Sequence, residues 1–252
     1  MVRKASFDFT GSIFVVTGAS SGMGHEVARQ LAVDGATVLA IARTEAQLQA
    51  FAEEQAGIIP FPCDVCNKER LQSGIERFVQ KHGKLCGAVH AAGISAITPL
   101  RKFNEEEARR VMDVSFWAGI NLMQIVNKKR LSTSQCSSVL FSSTSAYAAE
   151  KSLLVYASAK AAMQTAVRVM AKEISASGRR VNTISPGWVQ TPMTQKDIEA
   201  QTVSDSVLNR HLLGLGTPEK VIGMVLFLLS QEADWITGSD FVVDGGYLLG
   251  GA

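Results

Sequence analysis

Short apolar, β-branched segments alternate along the chain with longer segments in which apolar residues recur every three or four positions. The first pattern is typical of buried strands and the second of helices that bury one face. The predicted strands are residues 12–17, 37–42, 57–61, 87–91, 138–142, 180–185 and 240–243. Because strand and helix alternate throughout, the sequence predicts a doubly wound α/β fold, with about seven parallel strands and helices on both faces.

No change of composition, repeat or low-complexity segment divides the chain, so we expect one domain spanning residues 1–252. The longest apolar run, 221–229, is interrupted by Gly223 and is too short to span a bilayer, which predicts a buried helix. The polar, less regular segment 192–216 predicts either a lid over a substrate or an ordinary surface insertion.

Composition and charge narrow the possible partners. A hydrophobic fraction of 46% with 21 Gly and 6 Pro favours a packed core over disorder. The formal net charge of +2 creates no field that would attract nucleic acid or an anionic membrane, so we expect small-molecule partners only. Residues 1–9 lack the apolar stretch of a secretory signal, which predicts a cytoplasmic protein.

The four cysteines stand at positions 63, 66, 86 and 136. Cys63 and Cys66 form a Cys-x-x-Cys pair, a spacing found in redox motifs and in half of a zinc site. No second pair or nearby His completes a zinc set, so we expect no metal. The cysteines are interpreted as packing residues in a reducing compartment.

A glycine-rich turn, Thr17-Gly18-Ala19-Ser20-Ser21-Gly22-Met23-Gly24, lies between the first predicted strand and the first predicted helix. Glycines let the backbone turn sharply and approach a pyrophosphate, whose charge is met by N–H groups at the start of the helix. Such a turn also occurs in loops that bind no nucleotide. Its place directly between strand and helix favours a dinucleotide site.

The end of the second predicted strand is where dinucleotide folds read the adenosine ribose. Residues 40–42 contain no carboxylate, which would bind the 2′-hydroxyl of NAD, whereas Arg43 can pair with a 2′-phosphate bidentately. NADP(H) is therefore predicted, although Arg43 could be a solvated residue and Ser21 adds no basic group. Asp64 is interpreted either as an acceptor for the adenine amino group or as the cap of a helix beginning near Asn67.

Tyr156 and Lys160 are four residues apart in the predicted helix 154–173, so both project from one face. A phenol with a pKa of about 10 is a poor acid-base catalyst at neutral pH, but a nearby ammonium favours the phenolate. Ser143 follows the fifth predicted strand, where its hydroxyl could bond the reacting oxygen. Each residue alone could be structural; together they predict a proton-transfer site.

These features together resemble the short-chain dehydrogenase/reductase family over nearly the whole chain. The resemblance rests on four features in the family's order and spacing: the turn 17–24, the motif Tyr156-Ala157-Ser158-Ala159-Lys160, Ser143 thirteen residues before the tyrosine, and Pro186-Gly187-Trp188-Val189-Gln190-Thr191. It implies a Rossmann-type sheet and an oligomer, so we expect a homotetramer or homodimer. The apolar residues Tyr247-Leu248-Leu249 are a candidate contact between subunits.

The resemblance also implies a role for each matching residue. Tyr156 would exchange a proton with the substrate oxygen, Lys160 would hold the nicotinamide ribose and lower the pKa of Tyr156, and Ser143 would position the carbonyl. The residues expected to bind the cofactor are Gly18, Ser20, Ser21, Gly22, Met23, Gly24, Arg43, Asp64, Val65, Ala92, Gly93, Tyr156, Lys160, Pro186, Gly187, Val189 and Thr191.

Two positions depart from the family's pattern. The chain has His90-Ala91-Ala92-Gly93 where Asn-Asn-Ala-Gly is common, and we interpret His90 as a buried residue with a local hydrogen bond rather than a catalytic one. Ser115 stands in place of the family's Asn of a proton relay, so we expect an altered, slower or lost relay. A serine can still bond backbone or water within a helix.

The leading hypothesis is an NADP(H)-dependent oxidoreductase that transfers a hydride between nicotinamide and a carbonyl or alcohol substrate. A 3-oxoacyl-carrier-protein reductase is one candidate, with Arg109, Arg110 and Arg130 available to an acidic carrier; a sugar, steroid or xenobiotic carbonyl is equally open. Residues 95–100 and 146–154 are predicted to line a moderately hydrophobic pocket. The alternatives are a dinucleotide-binding regulatory protein with little turnover, and an isomerase or dehydratase using the same tyrosine.

Overall fold

Seven parallel strands form one sheet in the order β3-β2-β1-β4-β5-β6-β7. The computed structural model describes residues 5–199 and 209–250. The strands are β1 Ile13–Thr17, β2 Thr37–Ala42, β3 Ile58–Pro62, β4 Leu85–His90, β5 Ser132–Phe141, β6 Arg180–Pro186 and β7 Asp240–Val243. The predicted parallel sheet is confirmed, and the strand order reverses between β1 and β4, where such sheets leave a crevice for a ligand.

The helices connect successive strands and are numbered in chain order. They are α1 Gly22–Val33, α2 Glu45–Glu54, α3 Lys68–His82, α4 Glu105–Met112, α5 Ala118–Val126, α6 Ser145–Ala148, α7 Leu154–Ile174, α8 Pro192–Glu199 and α9 Pro218–Leu229. A five-residue π-helical turn, Asp113–Trp117, joins α4 directly to α5. Six residues of α9 are buried, which confirms the buried helix predicted from the apolar run at 221–229.

Both faces of the sheet are covered. All five residues of β1 are buried, and its alternate side chains point to opposite faces. Phe14 and Val16 pack in a core with α1, α2 and α9, whereas Ile13 and Val15 pack in a second core with α3 and α5. Helix α7 lies on the same side as α5, where a third core includes Leu140 of β5. The doubly wound arrangement follows from this continuous apolar character of the central strands.

β5 differs most from the prediction, since the bounds of the other strands agree with the predicted ranges to within two residues. β5 begins at Ser132, six residues before the predicted start, because Ser132 pairs with Leu85 of β4 across an irregularity in the register. Its first four residues are polar, so no apolar pattern could reveal them. β3 contains Pro60 and Pro62, which an edge strand tolerates because one side needs no ladder hydrogen bonds.

The C-terminal segment corrects one expectation. Tyr247 is completely buried within its own chain, where its ring stacks on His211 at 4.7 Å between centroids, so it is not available to contact another subunit. Of the three residues proposed as a contact, Leu249 is exposed. Helices long and apolar enough to cross a membrane are absent from the described residues.

Candidate active site

The glycine-rich turn links the end of β1 to the start of α1 and passes against the end of β4. Gly18 has a φ of +72°, and a Cβ there would lie 2.7 Å from the Ala92 backbone nitrogen. A Cβ at Gly24 would lie 2.4 Å from the Gly18 carbonyl oxygen. Any side chain at these two positions would therefore collide with backbone. The turn can approach β4 and α1 this closely only because both residues are glycine.

A cavity of about 240 Å³ opens beyond the carboxyl ends of β1, β2, β3 and β4. It brings together most of the residues expected to bind a cofactor. Those that line it are Gly18, Ser20, Ser21, Gly22, Met23, Gly24, Arg43, Asp64, Val65, Ala92, Gly93 and Thr191. The crevice at the reversal of strand order, a turn shaped for a close backbone approach and an arginine at its rim fit a dinucleotide.

One rim of the cavity is formed by the loops after β2 and β3. Arg43 is exposed directly after β2. Asp64 Oδ1 accepts from the Cys66 backbone N–H at 2.9 Å, while the side chain of Asn67 caps α3 by accepting from the Arg70 N–H at 2.9 Å. The cap of α3 is thus Asn67, so Asp64 is not the helix cap, and its carboxylate lies at the cavity.

The predicted catalytic residues converge where β5 ends. Lys160 lies one turn after Tyr156 on α7, with its ammonium nitrogen 5.6 Å from the centre of the tyrosine ring. Lys160 Nζ donates to the Phe141 carbonyl at 2.8 Å, and Ser142 Oγ donates to the Lys160 carbonyl at 3.0 Å. These two bonds fasten α7 to the end of β5. Ser143 follows, almost completely buried and within hydrogen-bonding reach of the Tyr156 hydroxyl.

This cluster adjoins the cavity through Gly93. A Cβ on Gly93 would lie 3.5 Å from Lys160 Nζ and 3.6 Å from Ser115 Oγ. Gly93 also lines the cavity. Tyr156, Lys160, Pro186, Gly187 and Val189 are not among the residues that line it, so the structure places these five expected cofactor contacts beside the cavity rather than on its wall.

Burial controls the proton affinities of this cluster. Burial lowers the pKa of Lys160 to about 8. Burial also raises the pKa of Tyr156; the hydrogen bond with Ser143 opposes that rise and the Glu150 carboxylate adds to it. Burial therefore outweighs the lowering of the Tyr156 pKa that was expected from Lys160. The Lys160 ammonium is directed to the Phe141 carbonyl, and desolvation of the phenolate dominates.

His90 is buried and hydrogen-bonded, as the sequence predicts, but its partners are distant in the chain rather than local. Its Nδ1 lies 2.9 Å from Thr17 Oγ1, and its Nε2 lies 3.2 Å from the Val114 carbonyl oxygen. A carbonyl only accepts, so Nε2 carries the proton and Nδ1 accepts from the threonine hydroxyl. Burial lowers the pKa of His90 to about 3, with a smaller contribution from the charge of Lys160. The neutral ring thus ties β1 and β4 to the π-helical turn.

Ser115 lies in the middle of that π-helical turn and is completely buried. Its hydroxyl donates to the Ile94 carbonyl and accepts from the Ile94 N–H, both at 3.3 Å. Ser115 therefore bonds the backbone of the loop after β4, on the same side of Gly93 as the Lys160 ammonium. Single π-turns inside helices often occur at functional sites, because they redirect one side chain.

The segment after β6 joins the site from the opposite side. The Pro186 carbonyl accepts from the Thr144 N–H at 3.0 Å, and the Gly187 N–H donates to the Val243 carbonyl at 3.1 Å. Thr191 approaches the glycine turn, since a Cβ on Gly22 would lie 3.2 Å from its methyl carbon. Of the predicted lid, α8 is described and residues 200–208 lie outside the described residues.

Two residues at the site were missed by sequence reasoning. Arg110 of α4 is exposed, as the sequence analysis expected, but it also lines the cavity, which was not predicted. Glu150 receives a hydrogen bond of 2.6 Å from the hydroxyl of the buried Tyr247, and its second carboxylate oxygen is buried without a partner among the described residues. Ala149 and Ser152 flank it with φ of 51° and 67°, a costly backbone conformation. No local pattern signals contacts between residues so far apart.

The cysteine pair has no sign of redox chemistry in its electrostatics. Cys63 is buried, as expected of a packing residue, but Cys66 is exposed, so that interpretation is wrong for Cys66. Burial raises the pKa of the Cys63 thiol, whereas partial desolvation and then the neighbouring Asp64 carboxylate raise the pKa of Cys66 to about 11, which disfavours the reactive thiolate. Clusters of three or more His, Cys, Asp or Glu able to hold a metal do not occur within 5–199 and 209–250.

Comparisons with known proteins agree with this architecture. A family model described as enoyl-(acyl carrier protein) reductase matches residues 18–248. The chain is 31% identical to the 3-oxoacyl-[acyl-carrier-protein] reductase of Thermotoga maritima, covering 95% of this chain and 98% of that relative. It is 32% identical to the D-erythrulose reductase of Gallus gallus, covering 98% and 99%. A short-chain type dehydrogenase/reductase from Mycobacterium ulcerans superimposes with a TM-score of 0.90 at 29% identity, covering 97% of this chain and 92% of that one.

Proposed function

The chain belongs to the short-chain dehydrogenase/reductase family of oxidoreductases, and on that premise we propose that it is an NADP(H)-dependent carbonyl reductase that also runs in reverse as an alcohol dehydrogenase. The observation that carries the proposal is the convergence of Ser143, Tyr156 and Lys160 beside Gly93 of the cavity. A strand-end hydroxyl, a phenol and an ammonium at one point supply proton donation and orientation for a carbonyl oxygen.

The reduced nicotinamide supplies the hydride when it is bound. Tyr156 donates the proton to the substrate oxygen, and its raised pKa keeps the phenol protonated at neutral pH, as a proton donor must be. Ser143 holds the same oxygen by a hydrogen bond. Lys160, fixed by the Phe141 carbonyl, places a positive charge beside the ring and stabilises the phenolate left after proton donation.

Proton resupply is the role we propose for Ser115. Its hydroxyl is held by the backbone of Ile94, and both this hydroxyl and the Lys160 ammonium lie within 3.6 Å of the position that a Cβ on Gly93 would take. A proton that passes from solvent to Lys160 and Tyr156 needs a hydrogen-bonding group at this point. Serine is shorter than the family's asparagine, so the relay here depends on a bridging water.

The preference for NADP(H) over NAD(H) rests on Arg43. Arg43 lies at the rim formed by the loops after β2 and β3, which we call the ribose rim because the adenosine ribose is expected there. Residues 40–42 contain no carboxylate to repel a 2′-phosphate. A guanidinium can bind that phosphate through two parallel hydrogen bonds.

We favour a small carbonyl compound over a carrier-protein thioester as substrate. Two of the three arginines considered for an acidic carrier already pair with carboxylates, Arg109 with Glu105 and Arg130 with Glu76, both at 2.5 Å. The third, Arg110, lines the cavity. The basic surface that a carrier protein would need is therefore partly neutralised.

We also propose a homotetramer or homodimer, with the surface of α4 and the π-helical turn as one contact. Trp117 is 53% exposed and Phe103 48%, and both border a hollow that is lined by Met112 and Val155 and by the charged residues Glu105, Arg109 and Asp113. Light scattering coupled to size exclusion tests it: Trp117→Ser is expected to yield smaller particles than the wild type.

The test of the proposed activity is the oxidation of NADPH with a panel of aldehydes, ketones, hydroxyketones, diketones and 3-oxoacyl thioesters. Wild type is expected to turn over at least one class. Tyr156→Phe is expected to lose about 10²- to 10⁴-fold in kcat while still binding NADPH. Ser158→Ala, which removes an exposed hydroxyl from the same helix, is the control. Binding of NADPH without turnover of any substrate would instead favour the regulatory protein.

A further inference from the structure

A second cavity continues the ribose rim of the first. It is open, has a volume of about 380 Å³, and shares Arg43, Cys63 and Asp64 with the main cavity. Its remaining wall consists of Pro62, Asn67 and Arg70. A group that extends from the main cavity past Arg43 therefore enters a space bounded by a second guanidinium.

Arg70 is held at this wall by three contacts. Its side-chain nitrogen donates to the Pro62 carbonyl at 2.8 Å, and its guanidinium carbon lies 5.9 Å from the centre of the Phe61 ring. Its backbone N–H is fixed by the Asn67 cap of α3. These contacts direct the side chain back along β3 toward the sheet edge and limit the entropy that binding would cost.

The partners of Arg70 preserve its charge for a ligand. Within 4 Å, carboxylates pair with Arg29, Arg109 and Arg130, whereas the bonds of Arg70 go to a carbonyl and an aromatic face. Asp64 is the acidic residue of this wall, and its Oδ1 is engaged by the Cys66 N–H. Two guanidinium groups and one carboxylate leave the wall with a net charge of +1.

We propose that Arg70 is a second binding residue for the adenosine 2′-phosphate, acting with Arg43. A phosphate monoester carries a charge of roughly −1.5 to −2 at neutral pH, which one guanidinium does not neutralise. The glycine turn has Ser21 where a basic residue could have supplied the second charge, and Arg70 supplies it from α3 instead. The inference rests on the proposed NADP(H) preference and names a residue that dictates it.

The test compares binding of NADP⁺ and NAD⁺ by calorimetry in the wild type, Arg70→Gln, Arg43→Gln and Arg77→Gln. Arg77 is exposed on the same helix two turns further along and serves as the matched control. Arg70→Gln is expected to weaken NADP⁺ binding by about 10- to 100-fold, because it removes charge-assisted hydrogen bonds, and to leave NAD⁺ binding unchanged. 2′-AMP should lose affinity in the same variant and 5′-AMP should not.

Two further measurements test the role of Arg70 separately from the proposed preference for NADP(H). Arg70→Lys keeps the positive charge but loses the planar guanidinium that binds a phosphate through two hydrogen bonds. Its affinity for NADP⁺ should therefore lie between those of the wild type and Arg70→Gln. The affinity for NADP⁺ should also depend less steeply on salt in Arg70→Gln. An equal loss for both dinucleotides, or no loss for either, overturns the role of Arg70 while a wild-type preference for NADP⁺ leaves the proposed function intact. A wild type without that preference overturns both.

Discussion

The two ends of the cavity are built in opposite ways. At the catalytic end, formed by Ser143, Tyr156 and Lys160, the side chains of Ser143 and Lys160 are buried, and the Lys160 ammonium is bonded to the Phe141 carbonyl. At the ribose end, formed by Arg43, Asp64 and Arg70, the side chains are exposed and lie on loops or on the first turn of a helix. Electrostatic interactions are strong and resist salt at the first end, and they are screened at the second.

This difference separates chemistry from selectivity. At the catalytic end, a substitution removes an interaction in a site of low dielectric, and it also disturbs packing, so it should affect both rate and stability. At the ribose end, a substitution should change the affinity for one dinucleotide while the fold persists. The following changes test that division, beginning with the largest effect.

Lys160→Ala should have the largest effect because it removes the only charge that stabilises a phenolate at Tyr156 among the described contacts of that ring. We expect kcat for carbonyl reduction to fall by about 10²- to 10⁴-fold. Lys172→Ala, an exposed lysine in the last turn of the same helix, should retain wild-type kcat. Steady-state kinetics under saturating NADPH measures both. A loss of less than tenfold would mean that the ammonium does not assist proton transfer.

Gly18→Ala acts on the turn that both ends share. The new Cβ meets the Ala92 nitrogen at 2.7 Å and the residue must keep a φ of +72°, so the turn has to move. Affinity for NADP⁺ and NAD⁺ should fall together by about 10- to 100-fold, since strain of this kind costs about 1–2 kcal/mol before the collision is added.

The control for Gly18 is Gly11→Ala. Gly11 has a φ of +76° with nothing within 4 Å of a Cβ, so it reproduces the backbone strain without the collision. This variant should lose some stability and keep its dinucleotide affinity, measured by calorimetry. If the two variants bind equally well, the close approach at Gly18 has no part in forming the site.

The sequence revealed the elements of both ends but not their contacts. Seven strands, the glycine turn and the Tyr156–Lys160 pair follow from local patterns, since apolar alternation and glycine placement act over a few residues. Ser132 at the start of β5 was not predicted, because its strand conformation depends on pairing with Leu85 and not on a local apolar pattern. The π-helical turn escaped because its residues have ordinary helical composition.

Long-range contacts explain the other omissions. His90 meets Thr17 and Val114, 73 and 24 residues away in the chain. From the sequence alone, Arg70 is one of several charged residues on the exposed face of an amphipathic helix. It lies beside Arg43 only because β2 and β3 pair as neighbouring strands. A pattern identifies the element on which such a residue lies, whereas tertiary packing decides what the residue contacts.

His90→Asn tests whether the catalytic end also contributes to stability. The pKa of His90 is about 3 in the folded chain against 6.5 for the ordinary histidine, so the unfolded chain binds more protons between these values. The free energy of unfolding therefore falls as pH drops below 6.5, and this residue alone accounts for about 2 kcal/mol between pH 7 and pH 5. Asparagine has no proton to gain.

Urea unfolding of both proteins at the two pH values measures this contribution. The wild type should lose about 2 kcal/mol more than His90→Asn on acidification. His82→Asn, at the half-buried end of α3, should behave as the wild type does. If the ring of His90 became protonated in the folded protein, the wild type and His90→Asn would instead lose the same free energy of unfolding on acidification.

Glu150→Gln should have the smallest effect, on a pH profile. The Glu150 carboxylate contributes to raising the pKa of Tyr156, so removing its charge should lower that pKa. Because carbonyl reduction needs the protonated phenol, the alkaline limb of log kcat/KM should move to lower pH. Tyr247→Phe removes the hydrogen bond to Glu150 but keeps the charge, and its limb should stay in place. The alkaline limb could instead move in Tyr247→Phe and stay in place in Glu150→Gln. That result would show that the position of the loop carrying Glu150, and not the charge of Glu150, sets the pKa of Tyr156.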